Sequence, residues 1–142
     1  MSGSVEICLP ARAEWGLVAR NVVLSFASVC GLGAPHLDEL GMVCGQIWEE
    51  VAHAPGVAEM SVKTGWSSGI IHLLVEGRLP AGLPAEGEAH EDALPDLGSG
   101  WSSSLTRAVV GHLTRTVTLS RSRDTIRIEA DFPAAPIEPS SV

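Results

Sequence analysis

Glu49 and His53 stand four residues apart in LDELGMVCGQIWEEVAHA, residues 37–54, with Gln46 and Glu50 in the adjoining turns. On a helix this spacing sends the carboxylate and the imidazole to the same side from neighbouring turns. A hard oxygen donor beside an imidazole can hold a divalent cation and, through it, a nucleotide phosphate. The same spacing also describes a solvated polar face that ends in a histidine, where the helix dipole favours one. The two readings demand different surroundings, so the elements that place this stripe decide between them.

Leu40, Val43, Cys44, Ile47, Trp48 and Val51 recur at helical spacing opposite that stripe, which predicts an amphipathic helix with one buried face. Asp38 and Glu39 suit its first turn, and Pro55 and Gly56 stop it. Before it, Val5, Ile7 and Leu9 alternate in SVEICLP, a first strand ended by Pro10. From Ala13 to Cys30 the pattern is helical, with Trp15, Val18, Val22, Ser25, Phe26 and Val29 as the core stripe and Arg20 and Asn21 off it. Gly31 to Pro35, GLGAP, ends that helix.

After the central helix, Met60 and Val62 alternate with Glu59, Ser61 and Lys63 in a half-exposed strand. A GWSSG turn leads to IIHLLV, Ile70 to Val75, whose near-continuous apolar run predicts an inner strand covered on both faces. Glu76 to Gly100 has no period and is rich in Gly, Pro, Ala and acid, as in a lid or an irregular insertion. Its acids Glu86, Glu88, Glu91, Asp92 and Asp96, with His90, lack a fixed ligand spacing and read as a solvated loop. Ser102 to Ser104 offer N-caps to a third helix with Leu105, Ala108, Val109, His112 and Leu113 inward. His112 reads as a packed interfacial histidine. Val117 and Leu119 mark a strand, and Ile126, Ile128 and Ala130 a final one. The order β, α, α, β, β, loop, α, β, β predicts an α+β two-layer sandwich, with helices on one face of a mainly antiparallel sheet.

A chain of 142 residues, 45% of them hydrophobic, sustains one domain with a real core. There is no run of about twenty apolar residues, and MSGSVEICLP has neither the basic region nor the apolar segment of a signal peptide, so a cytoplasmic protein is expected. A net charge of -8 argues against general nucleic-acid binding. Arg107, Arg115, Arg121, Arg123 and Arg127 read as solvent faces, or at most as a patch for an acidic protein partner. Cys8, Cys30 and Cys44, odd in number and scattered among apolar residues, read as reduced buried thiols.

From Val5 to Phe132 the chain resembles the anti-sigma-factor serine kinases of the GHKL, or histidine-kinase-like ATPase, superfamily. SVEICLPARAEWGLVARNVVLSFASVCGLG is similar to that family's first strand, turn and first helix, the helix carrying an arginine, here Arg20. DELGMVCGQIWEEVAHA resembles its N-box helix, IIHLLVEGRLP the strand entering its first glycine box, SLTRAVVGHLTRTVTLS the helix after its lid, and TIRIEADF its closing strand. The resemblance implies a single Bergerat-type α/β sandwich over residues 1–132 with a lid-like loop over 76–100; the tail over 133–142, PAAPIEPSSV, is expected on its own composition to be disordered. It implies a site for ATP or ADP with Mg2+, with Glu49 at the magnesium position, His53 at the helix end and Glu76 at the adenine-reading position. It also implies a protein partner, a sigma factor or its antagonist, met by Arg20 with Glu14 nearby; a homodimer is compatible.

The departures from the family are chemical. Aligning the N-box histidine on His53 puts Gly45 where the family has its general base, and glycine cannot take a proton. The first glycine box reads Glu76, Gly77, Arg78, Leu79, Pro80, without its alignable glycines, and the second falls on Ser104, Leu105, Thr106, Arg107. Phosphoryl transfer needs metal, phosphate cradle and oriented nucleophile together. The expectation is therefore a degenerate, non-catalytic regulatory domain that acts by protein binding, with little or no nucleotide affinity. Glu49 as a magnesium ligand with Arg78 or Arg107 meeting phosphate would give nucleotide binding without turnover; the rivals are an active ATP-dependent serine kinase using a shifted base, and the same fold holding another small ligand.

Overall fold

Period-two alternation carries five segments into one open sheet, and the helical segments cover one of its faces. The structure, a computed structural model, describes residues 3–79, 101 and 104–133. In chain order the elements are β1 (Gly3–Pro10), a 3-10 turn (Ala13–Trp15), α1 (Gly16–Val29), α2 (Ala34–Ala52), β2 (Glu59–Ser67), β3 (Ile70–Arg78), α3 (Ser104–Leu113), β4 (Thr116–Arg121) and β5 (Thr125–Pro133). The sheet order is β1-β2-β3-β5-β4, and every neighbouring pair is antiparallel. The fold is the expected α+β two-layer sandwich.

The β2–β3 hairpin closes through Ser68 and Gly69, with φ of 53° and 75°. Positive φ at both central residues is the turn whose twist matches the flanking strands. Gly31, at φ 104°, ends α1 in the left-handed region. Pro35, read from sequence as part of a stop, instead sits in the first turn of α2, where its missing N–H costs nothing.

The core stripe of α2 is as expected: Leu40, Val43, Cys44, Ile47, Trp48 and Val51 are all buried. They meet Met60, Val62, Ile71, Leu73, Val75, Ile126, Ile128 and Phe132 from the sheet. Trp48 also donates its indole N–H to the Arg12 carbonyl at 3.4 Å, which fixes the entry to α1.

Two helices sit in a different phase from the one their hydropathy suggests. In α1 the buried residues are Ala19, Val23 and Ala27, whereas Trp15, Val18 and Val29 are exposed. Apolar residues surround most of this helix; the stripe with the smaller side chains is the buried one, and the helix packs chiefly against α2. In α3 only Val110 is fully buried; Leu105, Ala108 and His112 face solvent, so His112 is not an interfacial residue. Among the described residues the inner strand β3 is covered on one face alone, with His72 exposed on the other. Cys8 is exposed too, contrary to the expectation of three buried thiols, and all three cysteines are free. The irregular segment expected from Glu76 begins later, because β3 runs to Arg78. The bulk of the lid-like segment, residues 80–100, and the tail from 134 lie outside the described residues.

Candidate functional site

The polar stripe of α2 does not form a ligand cluster. Glu49 is exposed, and His53 turns back onto its own helix as the C-cap, with Nδ1 2.9 Å from the Glu49 carbonyl oxygen. As the Nδ1–H tautomer it donates to one of the carbonyls that a helix end leaves unbonded. Gln46 is committed to α3, its Oε1 accepting from Thr106 Oγ1 at 3.1 Å. Glu50, expected on the polar face, is buried at 7% exposure. At Gly45 an added Cβ would meet nothing within 4 Å, so the position assigned to the missing base borders open space.

Glu76 lies on the other side of the sheet. It stands between Ser61 of β2 and Arg127 of β5, while its neighbour Gly77 faces α2 so closely that a Cβ there would come within 2.8 Å of Val51 and 2.9 Å of Val57. Strand alternation therefore puts Glu76 on the face that the helices leave uncovered. Glu49, His53 and Glu76 are not brought together. Among the described residues no group of three His, Cys, Asp or Glu side chains is disposed to hold a metal ion. Arg78 is exposed at the end of β3, and the Arg107 guanidinium lies over Gly111 of its own helix.

A different surface is better formed. Val18, Asn21, Val22, Ser25, Phe26 and Val29 of α1 and Val5 of β1 line an open groove of about 560 Å³ at the β1 end of the sandwich. Its lining is apolar apart from Asn21 and Ser25, and it carries no charge. The groove opens beside β1, an edge strand of the sheet. Leu17 extends the apolar surface at 59% exposure and Val29 at 88%. These residues carried a readable signal: a helix apolar on two flanks has more apolar surface than one sheet can cover.

Arg20 is exposed on the opposite flank of α1, roughly 160° around the axis from Val22. Its aliphatic stem passes α2, with Cδ 3.6 Å from where a Cβ on Gly41 would stand. Its charge reaches Cys44. Burial pushes the Cys44 thiol up to about 12, and Arg20 opposes part of that rise. Burial also raises Cys30. Glu14 is exposed in the 3-10 turn and pairs with Arg12 at 3.3 Å, not with Arg20. The two residues assigned to a partner thus do not pair with each other, and neither lines the groove.

No protein-family model matches this chain, and no curated protein matches it. No helix among the described residues is long and apolar enough to cross a membrane.

Proposed function

We propose that this chain is a protein-binding regulatory domain without phosphoryl-transfer activity: a degenerate relative of the anti-sigma serine kinases that captures a sigma factor or its antagonist in the cytoplasm. The observation that carries the reading is the uncharged apolar groove between the outer flank of α1 and β1, in a chain of net charge -8. A contiguous exposed apolar surface rimmed by polar groups marks an interaction site for another macromolecule. Arg20 lies on the same helix but on its opposite flank, beside α2, and would meet the partner as a second contact outside the groove. The scattering of Glu49, His53 and Glu76, and the open space at Gly45, fit a domain that has no use for ATP or Mg2+.

The test combines two substitutions with a nucleotide titration. Val22→Asp, which puts a carboxylate into the groove, should weaken capture of the sigma factor or antagonist at least tenfold, since burying an unpaired charge costs more than about 1 kcal/mol; Arg20→Glu, which reverses the charge on the opposite flank, should weaken it as well, and both variants should keep the parental melting temperature. Calorimetry with millimolar ATP and Mg2+ should show no binding heat. Undiminished capture by both variants, or saturable ATP binding, would overturn the reading.

A further inference from the structure

The face of the sheet that no helix among the described residues covers carries three polar side chains in series. Ser67 ends β2, His72 lies just beyond the two-residue turn on β3, and Asp131 stands opposite His72 on β5. Ser67 Oγ is 3.1 Å from His72 Nε2, and His72 Nδ1 is 2.7 Å from Asp131 Oδ1. The arrangement follows from the register. Antiparallel pairing sets His72 against Asp131, and the tight turn places Ser67 diagonally across from His72 on the same face. Gly65, directly opposite His72, presents no side chain to obstruct the ring as it leans toward Ser67.

We propose that Ser67, His72 and Asp131 form a nucleophile, base and orienting carboxylate that accept an acyl group from small activated esters. The Asp131 carboxylate accepts a hydrogen bond from Nδ1–H, which leaves the Nε2 lone pair facing the serine hydroxyl. This is the relation of roles that makes a serine nucleophilic on unrelated folds. None of the three side chains belongs to the core, and a clamp between β3 and β5 would need only the His72–Asp131 contact. As Ser67 Oγ bonds to the ester carbonyl carbon, its proton passes to Nε2. The tetrahedral adduct then expels the alcohol by breaking the ester C–O bond, and His72 returns the proton to the leaving oxygen. Water, deprotonated by the same Nε2, splits the acyl-serine and releases the carboxylic acid. The half-exposed setting, with side-chain exposures of 46% for His72 and 36% for Asp131, suits compact acyl groups with good leaving groups.

The full chain treated with p-nitrophenyl acetate should release a burst of nitrophenolate near one equivalent, with the acetyl group mapped by peptide mass spectrometry to Ser67. Ser67→Ala should abolish the burst. His72→Gln should slow acetylation about a hundredfold, the low end of what a positioned base contributes. Asp131→Asn should slow it too, with circular dichroism and melting unchanged in all three variants. The proposal is overturned if the burst survives in Ser67→Ala with the label on His72 or Lys63, or if His72→Gln acetylates at the parental rate.

Discussion

Gly45 is where the resemblance to a kinase and the physics of a helix make opposite demands, so Gly45→Ala tests the reading of that position. Glycine inside a helix is about 1 kcal/mol less favourable than alanine. At Gly45 nothing offsets the gain, because the new methyl group meets no atom within 4 Å. The variant should therefore be about 1 kcal/mol more stable than the parent. With an unfolding entropy of about 2 cal/mol/K per residue, that is a rise of about 3–4 °C in melting temperature for a domain of this size. Two other glycines provide the contrast. At Gly77 a methyl group would lie 2.8 Å from Val51 and 2.9 Å from Val57, and at Gly16 it would lie 2.8 Å from the Trp48 ring. Those neighbours are packed side chains, so each alanine should cost about 1–3 kcal/mol by overpacking. Thermal melts and urea titrations of the three variants read the result. A destabilised Gly45→Ala would mean that the position is packed, and the argument that an absent side chain leaves open space there would fail.

Gly45→Glu should also fold, since the space is open, but it should gain no phosphoryl-transfer activity with ATP and Mg2+, because Glu49, His53 and Glu76 do not converge; a radiolabel assay reads this directly. Thr106→Val should remove the bond from Thr106 Oγ1 to Gln46 Oε1 and cost about 1 kcal/mol in urea unfolding, loosening α3 from α2. The raised Cys44 thiol gives a pH dependence whose sign is fixed. The folded state keeps its proton to about 12 and the unfolded chain loses it near 9, so this contribution is fully present below pH 9 and is lost as the pH rises toward 12. The loss amounts to at most about 4 kcal/mol and should be absent in Cys44→Ala measured over the same range. A thiol reagent at neutral pH should reach Cys8 first and Cys44 only on unfolding.

Fold class and element order were legible because alternation and helical spacing are strong in β2, β5 and α2. The central helix was read in its correct phase for a simple reason: its polar residues leave a single apolar stripe. In α1, VARNVVLSFASV offers two apolar stripes, and hydropathy ranks the bulkier Val18, Val22 and Phe26 above Ala19, Val23 and Ala27. The smaller set is the one buried, in a helix packed chiefly against α2. That reversal turned an expected core stripe into the lining of a groove. In β3, Leu74 made an apolar run out of a strand with one open face, which concealed both the position of His72 and the outward direction of Glu76. Pairing register sets those directions, and register depends on the partner strands rather than on the segment itself.

Protein binding by the outer flank of α1 can be read at the residues themselves. A photoreactive amino acid at position 22, with position 74 on the uncovered sheet face as control, tests it most directly in living cells. A strong, specific crosslink is expected from position 22 to a sigma factor or an antagonist-type protein, suppressed by Arg20→Glu and absent from position 74. Equal crosslinking from both positions, or none from position 22, would contradict it.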